Sequence, residues 1–76
     1  MKTKRTICYD VLRDLERETT LTRQAAQVLV YVHPVIARVL KEEEQQSVID
    51  LERRISRRVI IQEKESLHIE QYEISI

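Results

Sequence analysis

Apolar residues recur at helical spacing early in the chain. Ile7, Val11, Leu12 and Leu15 share one face, with Cys8 beside them, which predicts a helix over residues 5–18. Asp10 with Arg13, and Asp14 with Arg17, form i,i+3 pairs off that stripe, each worth about 0.2–0.5 kcal/mol. Thr19, Thr20 and Thr22 are poor helix formers and are expected to end it. The pattern then changes to Val28-Leu29-Val30-Tyr31-Val32, a continuous β-branched and aromatic run that predicts a strand. Because the run does not alternate, the strand should lie centrally or be covered on both faces. His33-Pro34 stops it, and Pro34 suits the first turn of a following helix, where its missing N–H costs nothing.

Residues 34–56 carry two apolar stripes, Val35, Ile36, Val39, Leu40 and then Val48, Ile49, Leu51, Ile55. The polar run Lys41-Glu42-Glu43-Glu44-Gln45-Gln46 divides them, and Ser47-Val48-Ile49-Asp50 reads as a capping-box-like start. Two helices with a break near 42–47 fit best; one long helix is the alternative. Val59-Ile60-Ile61 begins a second strand, and the strict alternation of Tyr72-Glu73-Ile74-Ser75-Ile76 predicts a half-buried third. The expected order is α-β-α-(α)-β-β. A helical crossover makes the first two strands parallel, and the polar connection returns the third antiparallel. The fold class is α/β (α+β): a two-layer sandwich of helices on one face of a small three-stranded mixed sheet, a single domain over residues 1–76.

Composition narrows the function. The 13 basic and 13 acidic side chains balance, which excludes a module that binds nucleic acid by net charge alone. One Cys excludes an internal disulfide or a cysteine zinc cage. The absence of Gly excludes a P-loop, a dinucleotide fingerprint and a GXXG clamp. No apolar run has the length of a membrane span, and no signal peptide is visible, so a cytoplasmic setting is expected.

Few residues suggest chemistry. Arg53, Arg54, Arg57 and Arg58 are the strongest local charge feature and suit an RNA phosphate or an acidic partner. The helix dipole equally favours them as a solvated helix end, and no aromatic residue interleaves to stack bases. His33 reads as a turn residue before Pro34, His68 as a loop residue, and Cys8 as a small buried hydrophobe. A joint Cys8–His33–His68 metal site matches no standard spacing. Glu42, Glu43 and Glu44 diverge around a helix and read as a solvated face. These residues define an α/β domain without a visible active site.

Residues 4–15, reading Lys4-Arg5-Thr6-Ile7-Cys8-Tyr9-Asp10-Val11-Leu12-Arg13-Asp14-Leu15, resemble the helix that follows the zinc link in bacterial ribonuclease E/G-family proteins. Val32-His33-Pro34 resembles that family's apolar strand ending in H-P. Leu40 with Glu42, Glu43 and Glu44, then Leu51-Glu52, resembles its L-x-x-E-E…L-E helix. Ser66-Leu67-His68-Ile69-Glu70-Gln71-Tyr72-Glu73-Ile74 resembles its terminal segment. The pieces fall in family order along nearly the whole chain.

The resemblance implies a C-terminal small domain with a structural and oligomeric role. The parents are Mg-dependent endoribonucleases in rRNA processing and mRNA decay. Their metal-binding Asp residues and their C-P-x-C zinc link lie upstream of the matched region. No catalytic residue or metal ligand carries over, so no cofactor is expected in this fragment, while the parent uses Mg and Zn. The implied partners are other domains and subunits of the parent ribonuclease, with a homo-oligomer and a weak RNA contact further expectations. An end near Ile76 suits the ribonuclease G type within the family. Relatives place a Gly-Lys turn where this chain has Ser56-Arg57, so either Ser56 adopts a left-handed cap, at a cost of about 1 kcal/mol relative to Gly, or the turn differs.

Overall fold

The computed structural model describes residues 2–21 and 26–75. Its elements are α1 (Lys4–Leu21), β1 (Gln27–Val32), α2 (Pro34–Glu42), α3 (Gln45–Ile55), β2 (Arg58–Glu63) and β3 (Tyr72–Ser75). Thr22 and Ile76, expected in a helix end and a strand, lie outside the described residues.

The α1 stripe is buried as its spacing requires, with Ile7, Cys8, Val11, Leu12 and Leu15 all in the core. Thr3 starts the helix by accepting the Thr6 N–H on its hydroxyl at 3.1 Å. The helix runs past residue 18 through Leu21, and its threonine hydroxyls fold back onto carbonyls one turn earlier. Thr19 Oγ1 donates to the Leu15 carbonyl at 2.8 Å, and Thr20 Oγ1 to that of Arg17 at 2.7 Å.

The 34–56 region is two helices. His33 caps α2 by accepting the Val35 N–H on Nδ1 at 3.1 Å, and Pro34 occupies its first turn. The break falls in the polar run, where the Glu43 and Glu44 N–H groups both donate to the Val39 carbonyl at 2.9 Å. The N-cap of α3 is Glu44, three residues before the expected Ser47, and no side chain caps it. Glu44 also departs from the solvated face expected of the glutamates. Glu42 and Glu43 are exposed, but Glu44 is buried, held by Arg5 at 3.1 Å and by the Ser47 hydroxyl at 3.2 Å.

The sheet order is β2-β1-β3, with β1–β2 parallel and β1–β3 antiparallel. The crossover through two helices and the return through the 64–71 connection thus give the expected pairing. Val28, Val30 and Val32 of β1 and Val59 of β2 join the helical side chains in one core cluster. Ile61, Tyr72 and Ile74 pack against it from the same face. Strand β1 is central, but only one of its faces is covered. Leu29 pairs with Ile60 and Ser75, and Tyr31 with Gln62 and Glu73; these lie on the opposite face, outside the core cluster. The unbroken apolar run of β1 therefore reflects a central strand whose second face keeps Leu29 and Tyr31 half-buried among neighbouring strands. The helices form one layer and the sheet the other.

Candidate functional site

The turn between α3 and β2 positions the arginines, and Glu52 organises it. The Glu52 carbonyl accepts from Ser56 N–H and from Arg57 N–H at 3.3 Å, and Glu52 Oε2 accepts the Val59 N–H at 2.8 Å. Ser56 sits at φ 55, ψ 38, the left-handed cap of the two alternatives, and it is the positive-φ residue among the described residues.

This turn divides the cluster. Arg54 reaches back to α1 and pairs with Glu16 at 3.0 Å. Arg57 donates through Nη1 to the Thr19 carbonyl at 2.6 Å, at the C-terminal end of α1. These two line a cleft of about 320 Å³ with Glu16, Thr19, Thr20 and Ile55. Arg53 is exposed on α3, while Arg58 opens β2 and pairs with Gln27, which puts it on the uncovered sheet face. The four guanidinium groups do not converge on one anion.

The remaining candidates hold the fold together. His33 is the α2 cap. His68 lies in the 64–71 connection, where its Nδ1 faces the Glu70 N–H and its own N–H donates to Gln71 Oε1 at 2.8 Å. It borders a cleft of about 510 Å³ with Lys2, Thr3, Lys4, Ile7, Ile69 and Glu70. Cys8 is fully buried. Burial pushes its thiol up to about 11, with the Glu44 and Glu43 carboxylates adding to the effect. Tyr72 donates its hydroxyl to Asp14, which also pairs with Arg17 at 3.3 Å, and this joins β3 to α1. Burial, then that bond and the Asp14 charge, push the Tyr72 phenol up to about 12. Among the described residues, no three or more His, Cys, Asp or Glu side chains come together as a group that could hold a metal ion.

The two raised values give an alkaline prediction. In the unfolded chain the thiol ionises near 9.0 and the phenol near 10.0, while the folded state keeps both protonated to about 11 and about 12. The unfolded state then binds fewer protons, so stability falls as pH rises through these windows. Urea midpoints should drop between pH 9 and 11, and Cys8→Ala combined with Tyr72→Phe should flatten that drop. An identical slope in the double variant would contradict it.

Three helices on one face of a three-stranded mixed sheet define a small α+β domain. The chain belongs to the RNase E/G thioredoxin-like domain family, whose model matches residues 1–76. It is 30% identical over 74 residues to Ribonuclease G of Escherichia coli strain K12, and equally to those of E. coli O157:H7 and Shigella flexneri. The match covers 97% of this chain but 15% of each relative. Among the described residues, no helix is long and apolar enough to cross a membrane.

Sequence patterning missed one constellation. Tyr31 and Arg58 share the uncovered sheet face, and the Lys64 ammonium stands 5.9 Å from the Tyr31 ring centre and 3.0 Å from Glu73. The available signal was Leu29 and Tyr31, apolar residues in the strand register opposite to the core valines.

Proposed function

We propose that this chain is the non-catalytic, C-terminal structural and oligomerisation domain of a cytoplasmic ribonuclease E/G-type endoribonuclease. The observation that carries this reading is the family match along residues 1–76, in relatives of which the chain spans only 15%. Catalysis, Mg and Zn then belong to the rest of the parent, which processes rRNA and degrades mRNA. The engagement of His33, Cys8, Glu44 and Asp14 in structure supports a non-catalytic role. The outer edges of β2 and β3 have no strand neighbour among the described residues, which supports assembly with other subunits and domains of the parent.

The purified chain should leave single-stranded RNA intact in the presence of Mg. Its mass by light scattering should rise with concentration. Cleavage that disappears on mutating a residue of this chain would reject the non-catalytic role, and a constant monomer mass would reject self-association.

A second reading is an accessory RNA contact through the 53–58 arginines. Arg58 favours it, because it is exposed on the uncovered sheet face and forms no side-chain bond among the described residues.

A further inference from the structure

We infer that the uncovered sheet face, with Tyr31 as a stacking platform between the cations Arg58 and Lys64, is a contact strip for single-stranded RNA. The inference rests on the RNA-contact reading and moves its centre from the helix end to the sheet.

The register fixes the layout of the strip. Arg58 and Gln27 form one end, Ile60, Leu29 and Ser75 the middle, and Gln62, Tyr31 and Glu73 the other end. Lys64 follows β2 directly and reaches over the Tyr31 ring. Tyr31 is half-buried and the Lys64 ammonium covers its ring face, so a base reaches that face when the flexible Lys64 side chain moves aside. Arg58 stands about 13 Å along the strands from Tyr31, at roughly 3.3 Å per residue. A strand laid along the sheet would stack one base on Tyr31 and bring a later phosphate to Arg58. Leu29 and Ile60 offer apolar surface to the base between them, and Gln27 and Gln62 offer amide donors and acceptors.

Size and charge favour nucleic acid over protein. Strands of six, six and four residues about 4.8 Å apart give roughly 250 Å², well below the roughly 800 Å² per partner of a stable protein interface. A few nucleotides need no more than such a strip. The face carries Arg58 and Lys64 against Glu73. The Lys64–Glu73 pair is about half exposed on both sides, so a phosphate can displace the carboxylate. The Lys64 stem is flexible enough to move its ammonium from ring to phosphate as a base arrives.

The test is an NMR titration of the chain with a short single-stranded oligouridylate at low salt. Amide shifts should centre on Leu29, Tyr31, Ile60 and Ser75. Tyr31→Ala should weaken binding about fivefold or more, while Tyr31→Phe, which keeps the ring face, should bind like wild type. Arg58→Gln and Lys64→Gln should each reduce the slope of log affinity against log salt by about 0.7. Shifts confined to Arg53, Arg54 and Arg57 would overturn this inference and leave the helix-end reading standing. An absence of RNA-induced shifts would reject both readings of RNA contact. Shifts on the sheet face that follow protein concentration instead of RNA would overturn it in favour of a second copy. None of these outcomes touches the family membership.

Discussion

Replacing Leu15 by alanine should lower the stability of this domain by about 3 kcal/mol, within the range of roughly 2–5 kcal/mol for buried Leu→Ala changes. Leu15 is fully buried in the middle of α1, the helix that packs against both α2 and α3. Truncation removes apolar contacts and leaves a void that those helices can only partly fill. The domain is poorly placed to absorb the loss. At about 0.05–0.15 kcal/mol per residue, 76 residues have a total stability of roughly 4–11 kcal/mol. The loss should appear as a fall in melting temperature of about 12–24 °C, at about 4–8 °C per kcal/mol for a domain of this size. Leu21→Ala is the matched control. Leu21 ends the same helix but is 77% exposed, so its change should stay within about 0.5 kcal/mol. Equal denaturation midpoints for Leu15→Ala and wild type would mean that α1 does not dock through this stripe.

The contrast between Leu15 and Leu21 shows what a sequence makes legible. Periodicity identified the α1 stripe, and the strand–helix–strand order implied a parallel β1–β2 pair, because both depend on local pattern and short-range chain geometry. Pro34 and the polar run at 41–46 marked the α2 boundaries for the same reason. The cap of α3 was misplaced because Ser47 is the better capping residue in isolation. Tertiary contact decided otherwise: Arg5 draws the Glu44 carboxylate inward, and Ser47 then serves that carboxylate. The arginine cluster was likewise continuous only in sequence. Arg54 and Arg57 find partners 38 residues away on α1, Glu16 and the Thr19 carbonyl, so they tie α3 and the turn after it to α1, which Arg53 and Arg58 do not. The Tyr31–Lys64 contact crosses from the central strand to the connection after β2. It needs the parallel register before it becomes visible.

Ser56→Gly should raise stability by about 1 kcal/mol, or about 4–8 °C in melting temperature. Ser56 holds φ 55 and ψ 38, where the β-carbon of an L-residue crowds the following carbonyl. Glycine removes that clash, and the entropy it adds to the unfolded chain offsets only part of the gain. The hydroxyl makes no hydrogen bond among the described residues, so its removal breaks nothing. The bonds that shape the turn run from the backbone N–H groups of Ser56, Arg57 and Val59 to Glu52, and all survive the substitution. Two further variants separate backbone strain from surface chemistry. Ser56→Asn should fall between serine and glycine, since asparagine tolerates this region, and Ser56→Val should be destabilising, since a β-branched side chain there is a true outlier. The order Gly, Asn, Ser, Val in melting temperature is the signature of a left-handed cap. A lower melting temperature for Ser56→Gly would instead mean that the turn owes its shape to the side chain. The Glu52 carbonyl and carboxylate would then not suffice to hold the turn, and the placement of Arg57 against α1 and of Arg58 on the sheet would have to come from elsewhere.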